Sequence, residues 1–161
     1  MRGGAWKVGY KNYGNFKKNY SEYNRNNFRV RSPIKTFRDL EVYQTTIKLS
    51  NILTNLEFLK EDKEEIKKTA EKIPKLIAES YGDKFDSFET SEKKLNEAVT
   101  LIANVITKTD LLRDRFLEDK EKKEILDRVL TKYGYQKLKI LNLKKAWKRI
   151  FDKKGDECGT N

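Results

Sequence analysis

The stretch over residues 66–82 constrains the fold of this chain more than any other. Its apolar residues recur at steps of three and four, the spacing that places side chains on one face of an α-helix, while charged residues fill the opposite face. The apolar positions are Ile66, Ala70, Ile73, Ile77 and Tyr81. Such a helix must cover its apolar face with another element. We therefore predict a helix over about residues 62–81 that packs in a helical core.

Pro74 and Gly82 modify this helix. A proline inside a helix lacks one backbone donor and clashes with the preceding turn, at a cost of about 3 kcal/mol. The helix must therefore tolerate a kink at Pro74 or restart after it. Gly82 is typical of the position just after a helix, so it supplies the predicted stop.

Similar apolar stripes predict three further helices. The first covers about residues 37–59, with Thr36 or Ser32 as its cap, and a charged turn at residues 60–63 follows it. Another covers about residues 88–116, capped by Ser87. The last begins near residue 125, is interrupted by Gly134, and resumes to Phe151 as a distinct basic helix or a bent continuation. Because the connectors are short, we predict an all-α fold, namely an up-down-up-down antiparallel four-helix bundle with a basic C-terminal helix or helix extension.

Residues 1–34 have a different composition, since Gly, Asn, Tyr, Lys and Arg dominate and no helical period is present. We predict a non-helical N-terminal arm over residues 1–34, the bundle over residues 35–154 and a tail over residues 155–161. The arm is open to two interpretations. It is either a basic segment whose rings stack on bases while Arg25, Arg29 and Arg31 contact phosphates, or a polar tail with too little apolar surface to fold alone.

Positive charge is concentrated at the two ends of the chain. The net charge is +11, and residues 1–38 hold ten Lys or Arg against one Glu, whereas residues 132–154 hold nine against one Asp. This segregation favours a polyanionic partner, RNA or DNA, because Lys and Arg on phosphates release condensed counterions. A solubilising surface is the alternative.

The C-terminal basic residues surround Trp147, so one side of this helix must pack while the other is cationic, which suits phosphate contacts without base readout. With the arginines of the arm, the predicted nucleic-acid-binding residues are Lys137, Lys139, Lys144, Lys145, Lys148, Arg149, Lys153, Lys154, Arg25, Arg29 and Arg31.

Catalytic and metal-binding residue types are scarce. The chain has no histidine and one cysteine, which excludes Ser-His-Asp and Cys-His arrangements, and it has no phosphate-binding P-loop. Asp110 and Asp114, like Glu61 and Glu65, lie one helical turn apart as metal-binding carboxylates do, but the Glu-x-x-His pair of di-metal bundles is missing. We therefore expect a protein that is not an enzyme and that holds neither a metal nor a cofactor.

The single cysteine, Cys158, allows no disulfide within one chain, in agreement with a cytoplasmic protein. The sequence contains no apolar run of about 18 residues and no signal-peptide core at its N-terminus. We therefore expect neither membrane association nor export.

Three short motifs carry a family resemblance. Residues 37–44 read F-R-D-L-E-V-Y-Q, residues 73–82 read I-P-K-L-I-A-E-S-Y-G, and Leu95 opens a Leu-Asn-Glu stretch. Together they resemble the bacterial four-helix-bundle family associated with intervening sequences of 23S ribosomal RNA, whose second signature is I-P-x-x-I-A-E-G-Y-G. Ser80 replaces the usual glycine. The resemblance covers about residues 36–131 and implies that Pro74 is a built-in bend in the helix.

Within this family the chain is most similar to the accessory variability determinants of diversity-generating retroelements, described as basic, barrel-like homopentamers that bind reverse transcriptase and nucleic acid. Residues 1–34 resemble the variable repeat of a retroelement target, usually G-G-x-W followed by N-x-G-F-R-V, although the glycine before Phe28 is missing. A translated template repeat would explain them. Asparagine codons begin with two adenines, and adenine is the base that these elements mutate.

The resemblance implies a non-catalytic accessory protein of a diversity-generating retroelement. Such a protein would be a homo-oligomer, a pentamer by resemblance, that binds template RNA or cDNA and reverse transcriptase to support mutagenic reverse transcription. The alternative is a structural or RNA-interaction bundle of the 23S ribosomal RNA intervening-sequence type without a retroelement role.

Overall fold

Four α-helices make up most of the described chain. The computed structural model describes residues 33–158, with side chains to residue 156, and the chain from Lys35 onward forms a unit of its own. The helices are α1, Glu41–Asn55; α2, Lys63–Asp83; α3, Phe88–Arg115; and α4, Lys120–Cys158. Short 3-10 helices, Phe37–Asp39 and Glu57–Asp62, precede α1 and α2. Residues 33–158 contain no strand, so the predicted all-α class is confirmed for this part.

Each helix packs chiefly against two others. α2 contacts α1 and α3, and α4 contacts α3 and α1, so a shared core lies among all four. The residues at three- and four-residue spacing fill it, and burying each large apolar side chain contributes about 1.5–3 kcal/mol. The largest fully buried apolar side chains are Leu49, Leu53, Leu59, Ile66, Ile73, Ile77, Leu95, Ile102, Val105, Leu126 and Ile140.

α1 is shorter than predicted at both ends. Thr36 does act as a cap, but it caps the 3-10 turn, where its hydroxyl accepts from the Arg38 N–H at 3.2 Å and the Asp39 carboxylate accepts from the Thr36 N–H at 3.0 Å. The backbone N–H groups of Thr36 and Lys35 both donate to the Asp39 carboxylate and hold its pKa below its usual value. Leu40 and Leu56 then adopt extended backbone conformations, which separate α1 from the short turns on either side.

The charged turn between α1 and α2 contains the one non-glycine residue with a positive φ in the described chain. Lys60 has φ 48° and ψ −116°, a region that side chains with a Cβ adopt at a cost. The turn directs the chain into α2, and the buried Leu59 beside it holds the strained residue in place. The predicted turn at residues 60–63 therefore overlaps the connection between α1 and α2.

α2 continues through Pro74 without restarting. Pro74 is buried among the core-facing residues of α2, so packing offsets the missing backbone hydrogen bond. Gly82 is not a left-handed stop, because every described glycine has a negative φ. The helix ends instead at Asp83, and the N–H of Lys84 donates to the carbonyl of Ser80 at 3.0 Å.

Ser80 is fully buried where α2 meets α3. Its hydroxyl donates to the Ile77 carbonyl at 2.8 Å, and its own carbonyl accepts from the hydroxyl of Ser91 on α3 at 2.8 Å. Both hydroxyl donors are therefore satisfied without water. The small side chains let the two helices approach closely at this point.

The predicted interruption at Gly134 is wrong. α4 is one helix of 39 residues that passes through Gly134, so the basic segment is a helix extension, and the helix reaches into the residues assigned to the tail. Glycine inside a helix costs about 1 kcal/mol relative to alanine but does not forbid the helical conformation. The buried neighbours Tyr133 and Gln136 hold this part of α4 against the bundle.

Tyr133 provides a stability prediction. Its hydroxyl is buried without a hydrogen-bond partner in the described chain, and burial raises the pKa of the phenol above its usual value. Because the folded-state pKa exceeds the unfolded value of about 10, the wild type loses stability as the pH rises above about 10, by about 1.4 kcal/mol per pH unit. We expect Tyr133→Phe to match or exceed wild-type stability at pH 8 and to escape this loss.

Urea unfolding of both proteins at pH 8 and at about pH 11 measures the difference. The other tyrosines are common to both proteins, so their titration cancels in the comparison. An equal decline for wild type and Tyr133→Phe between the two pH values would contradict the prediction.

Candidate nucleic-acid interface

One face of α4 contacts the bundle and the opposite face carries cations. The contacting face contains the buried residues Leu126, Val129, Tyr133, Ile140 and Trp147, at steps of three, four and seven. Positions between them point away from the core. The exposed cations there, which we call the outer cation face, are Lys137, Lys145, Lys148, Arg149 and Lys153.

The outer cation face has few counter-charges. None of its five members forms an ion pair with an acid in residues 33–156, and Asp152 is the one acid in the sequence from residue 132 to residue 154. At a rise of about 1.5 Å per residue, the face extends about 24 Å along the helix from Lys137 to Lys153. Within residues 33–156 these charges are therefore not compensated by an ion pair.

Lys139 and Lys144 are placed differently from the outer cation face. The Lys139 ammonium pairs with the carboxylate of Glu41 on α1. The Lys144 ammonium lies 3.0 Å from the side-chain oxygen of Asn96 and 3.9 Å from the Glu92 carboxylate, both on α3. These two lysines connect α4 to its neighbours, and the charge that they offer to a ligand is partly compensated.

Lys154 lies beside a small notch rather than on the outer cation face. The notch has a volume of about 70 Å³ where the turn between α2 and α3 meets α4. We define it by the residues that line it: Lys84, Phe85, Phe88, Trp147, Ile150, Phe151 and Lys154.

Lys84 is the central cation of the notch. Its ammonium lies 4.2 Å from the ring centroid of Tyr81, 4.8 Å from that of Trp147 and 5.0 Å from that of Phe85. A cation over aromatic faces is attracted by their negative π-surfaces. Burial, and secondarily the charge of Lys154, lower the pKa of Lys84.

Lys84 and Phe85 were not among the predicted site residues, because they lie in the short connector between two predicted helices. A signal was present, since Tyr81, Phe85 and Phe88 continue the steps of four and three beyond the end of α2. Phe85 is 67% exposed, although its ring packs edge-on against Tyr81 with centroids 5.6 Å apart. The turn is therefore aromatic as well as polar.

The carboxylate pairs considered as metal ligands lie on exposed surfaces. Asp110 and Asp114 are exposed, and Glu65 pairs with Lys108 of α3 at 2.8 Å. Among the side chains that the structure describes, in residues 33–156, no group of three or more acids is placed to hold a metal ion.

Arg25, Arg29 and Arg31 lie outside the described residues, as does the rest of the predicted arm up to residue 32. None of the described helices combines the length and the apolar character that crossing a bilayer requires. Comparison of the chain with protein-family models, with curated proteins and with solved structures found no match.

Proposed function

We propose that this protein is a non-catalytic nucleic-acid-binding bundle that holds RNA or cDNA by its phosphates on the outer cation face. One observation carries the proposal: five exposed cations, none of them paired with an acid in residues 33–156, follow one side of a single helix. Phosphates displace condensed counterions when they meet such a row of charges, which provides affinity without sequence preference.

The proposed topology is an antiparallel up-down-up-down bundle, which presents α4 along its full length. Contacts at both ends of neighbouring helices support it. Asp62, just before α2, pairs with Arg115 at the end of α3 at 2.7 Å, whereas Ser80 near the end of α2 meets Ser91 near the start of α3. α3 and α4 are related in the same way, because Arg113 pairs with Asp127.

The family resemblance extends the proposal to a biological role. An accessory protein of a diversity-generating retroelement would bring template RNA or cDNA to reverse transcriptase in the cytoplasm, and it would act as a homo-oligomer. Self-association requires exposed apolar surface, and the large apolar side chains exposed outside the notch and on the bundle helices or their connectors are Ile52, Leu111, Leu117, Tyr135 and Leu138. A homo-oligomer would also multiply the outer cation face.

The salt dependence of RNA binding tests the proposal. We expect the wild type to bind a mixed-sequence single-stranded RNA with a slope of log K against log salt of about −3.5, the value for five phosphate contacts. The affinity then falls about 100-fold between about 50 and 200 mM salt. Fluorescence anisotropy of labelled RNA measures both quantities. Absence of binding at low salt, or a slope near zero, would overturn the proposal.

A further inference from the structure

We propose that the notch receives one unpaired nucleotide of a bound single strand, with its base on the exposed aromatic surface and its phosphate between Lys84 and Lys154. This inference rests on the proposed function and narrows it, since it names the form of nucleic acid that the protein prefers. The outer cation face alone would not distinguish a single strand from a duplex.

The apolar part of the notch is open to solvent. Phe85, Ile150 and Phe151 are 67%, 54% and 45% exposed, although they adjoin a packed aromatic group. The Phe151 ring is tilted by 31° against Phe88 with centroids 5.9 Å apart, so one side of it remains free. A nucleobase stacks on such a surface whatever its sequence, because every base has a π-face.

The charge of the notch calls for an anionic occupant. Lys84 and Lys154 both line the notch, and the charge of Lys154 adds to burial in lowering the pKa of Lys84. Two of the acids that flank the turn are engaged elsewhere, since Asp83 pairs with Lys94 at 2.6 Å and Glu89 with Lys93 at 3.4 Å, and the third, Asp86, is exposed to solvent. A phosphate between the two lysines relieves their repulsion, which a neutral apolar peptide does not do.

Position and size favour a nucleotide that continues from the outer cation face. Lys153 ends that face and Lys154, the next residue, begins the notch. A volume of about 70 Å³ is that of about two water molecules, which is too small for a helix of a partner protein, so a base lies flat over the exposed ring of Phe85 at the rim of the notch. A base in a duplex cannot enter without leaving its stack.

Trp147 supplies a signal for the test, because it lines the notch and the only other tryptophan is Trp6. In a Trp6→Phe background we expect a short single-stranded RNA to change the fluorescence of Trp147. Phe85→Ala should lower the affinity for this RNA by about 5- to 150-fold, the effect of losing one stacked base, while Phe85→Tyr keeps it. A duplex RNA of the same length should bind both proteins equally.

Two further results separate the notch from the outer cation face. Lys154→Gln should lower the affinity and reduce the salt slope by about 0.7, the value for one phosphate contact on a single strand. With Lys145, Lys148, Arg149 and Lys153 replaced by Gln, the Trp147 signal should persist at higher RNA concentration.

Salt-dependent RNA binding that is unaffected by Phe85→Ala, or equally weakened for duplex and single strand, would overturn the notch proposal and leave the proposed function intact. A Trp147 signal that Phe85→Ala removes, but that appears at the same RNA concentration with and without the four cations of the outer cation face, would instead overturn the phosphate role of that face. Absence of any signal at saturating RNA would overturn the notch proposal outright.

Discussion

Replacement of Lys145, Lys148, Arg149 and Lys153 by Gln is expected to weaken binding of single-stranded RNA about 200-fold at about 0.15 M salt. Each lost phosphate contact removes about 0.7 from the slope of log K against log salt, so the slope should become less negative by about 3. The four side chains are exposed and form no ion pair with acids in residues 33–156, so their loss should leave the fold intact. Anisotropy titrations over a range of salt concentrations measure the slope.

A matched control removes four charges from other helices. Lys48, Lys68, Lys72 and Lys75 are exposed on α1 and α2, and replacing them by Gln changes the net charge by the same amount. We expect this control to lower the affinity less than about threefold, because screening limits the reach of exposed charges to about 8–10 Å. Equal losses of RNA affinity for the two variants would show that binding depends on the net charge of the protein and not on the outer cation face.

Trp147→Ala is expected to lower the free energy of unfolding by about 3–5 kcal/mol, the range for truncating a large buried aromatic side chain. Trp147 is 7% exposed and is the last buried residue described on α4. Its ring packs edge-on against Tyr81 with centroids 6.1 Å apart and lies under the Lys84 ammonium. The substitution therefore removes the contact that holds the basic end of α4 to α2. Chemical denaturation monitored by circular dichroism measures the loss.

Ile150→Ala serves as a control one turn away. Ile150 is 54% exposed, and its truncation is expected to cost less than about 1 kcal/mol because little apolar surface leaves the core. The loss in free energy of unfolding for Trp147→Phe should lie between the losses for Trp147→Ala and Ile150→Ala. A Trp147→Ala variant as stable as Ile150→Ala would show that Trp147 does not anchor α4.

The helices that the sequence predicted well are those whose ends are set locally. Ser87 caps α3 through the Thr90 N–H, and the apolar period then continues to Arg115, so the predicted limits of 88–116 nearly match the observed helix. α1 differs because the capping box at Thr36 and Asp39 forms a separate turn, which apolar spacing does not reveal. The predicted interruption of α4 at Gly134 was wrong, because the packing of Tyr133 and Gln136 outweighs the low helix propensity of one glycine.

The sequence likewise predicted one part of the candidate site and not the other. Helical spacing is enough to place Lys145, Lys148 and Lys153 on the side of α4 away from the core. It does not show that Lys139 and Lys144 meet partners on α1 and α3, because those acids and amides are distant in sequence. The environment of Lys84 depends on Trp147, which lies far along the chain. The notch therefore could not be predicted from the sequence and is visible only in the tertiary structure.

The packing of α4 varies along its length. Up to Trp147 buried residues recur every one or two turns, whereas every side chain described after it, over residues 148–156, is exposed. In this segment Phe151 contacts Phe88 and Lys154 lines the notch, but no side chain is buried. Helical turns with few tertiary contacts open at a lower free-energy cost than turns anchored in a core, which open only with the whole domain. The basic end can therefore follow the path of a bound strand without straining the bundle. Binding then orders this end of the helix, and the entropy lost in ordering it lowers the affinity that its charges provide.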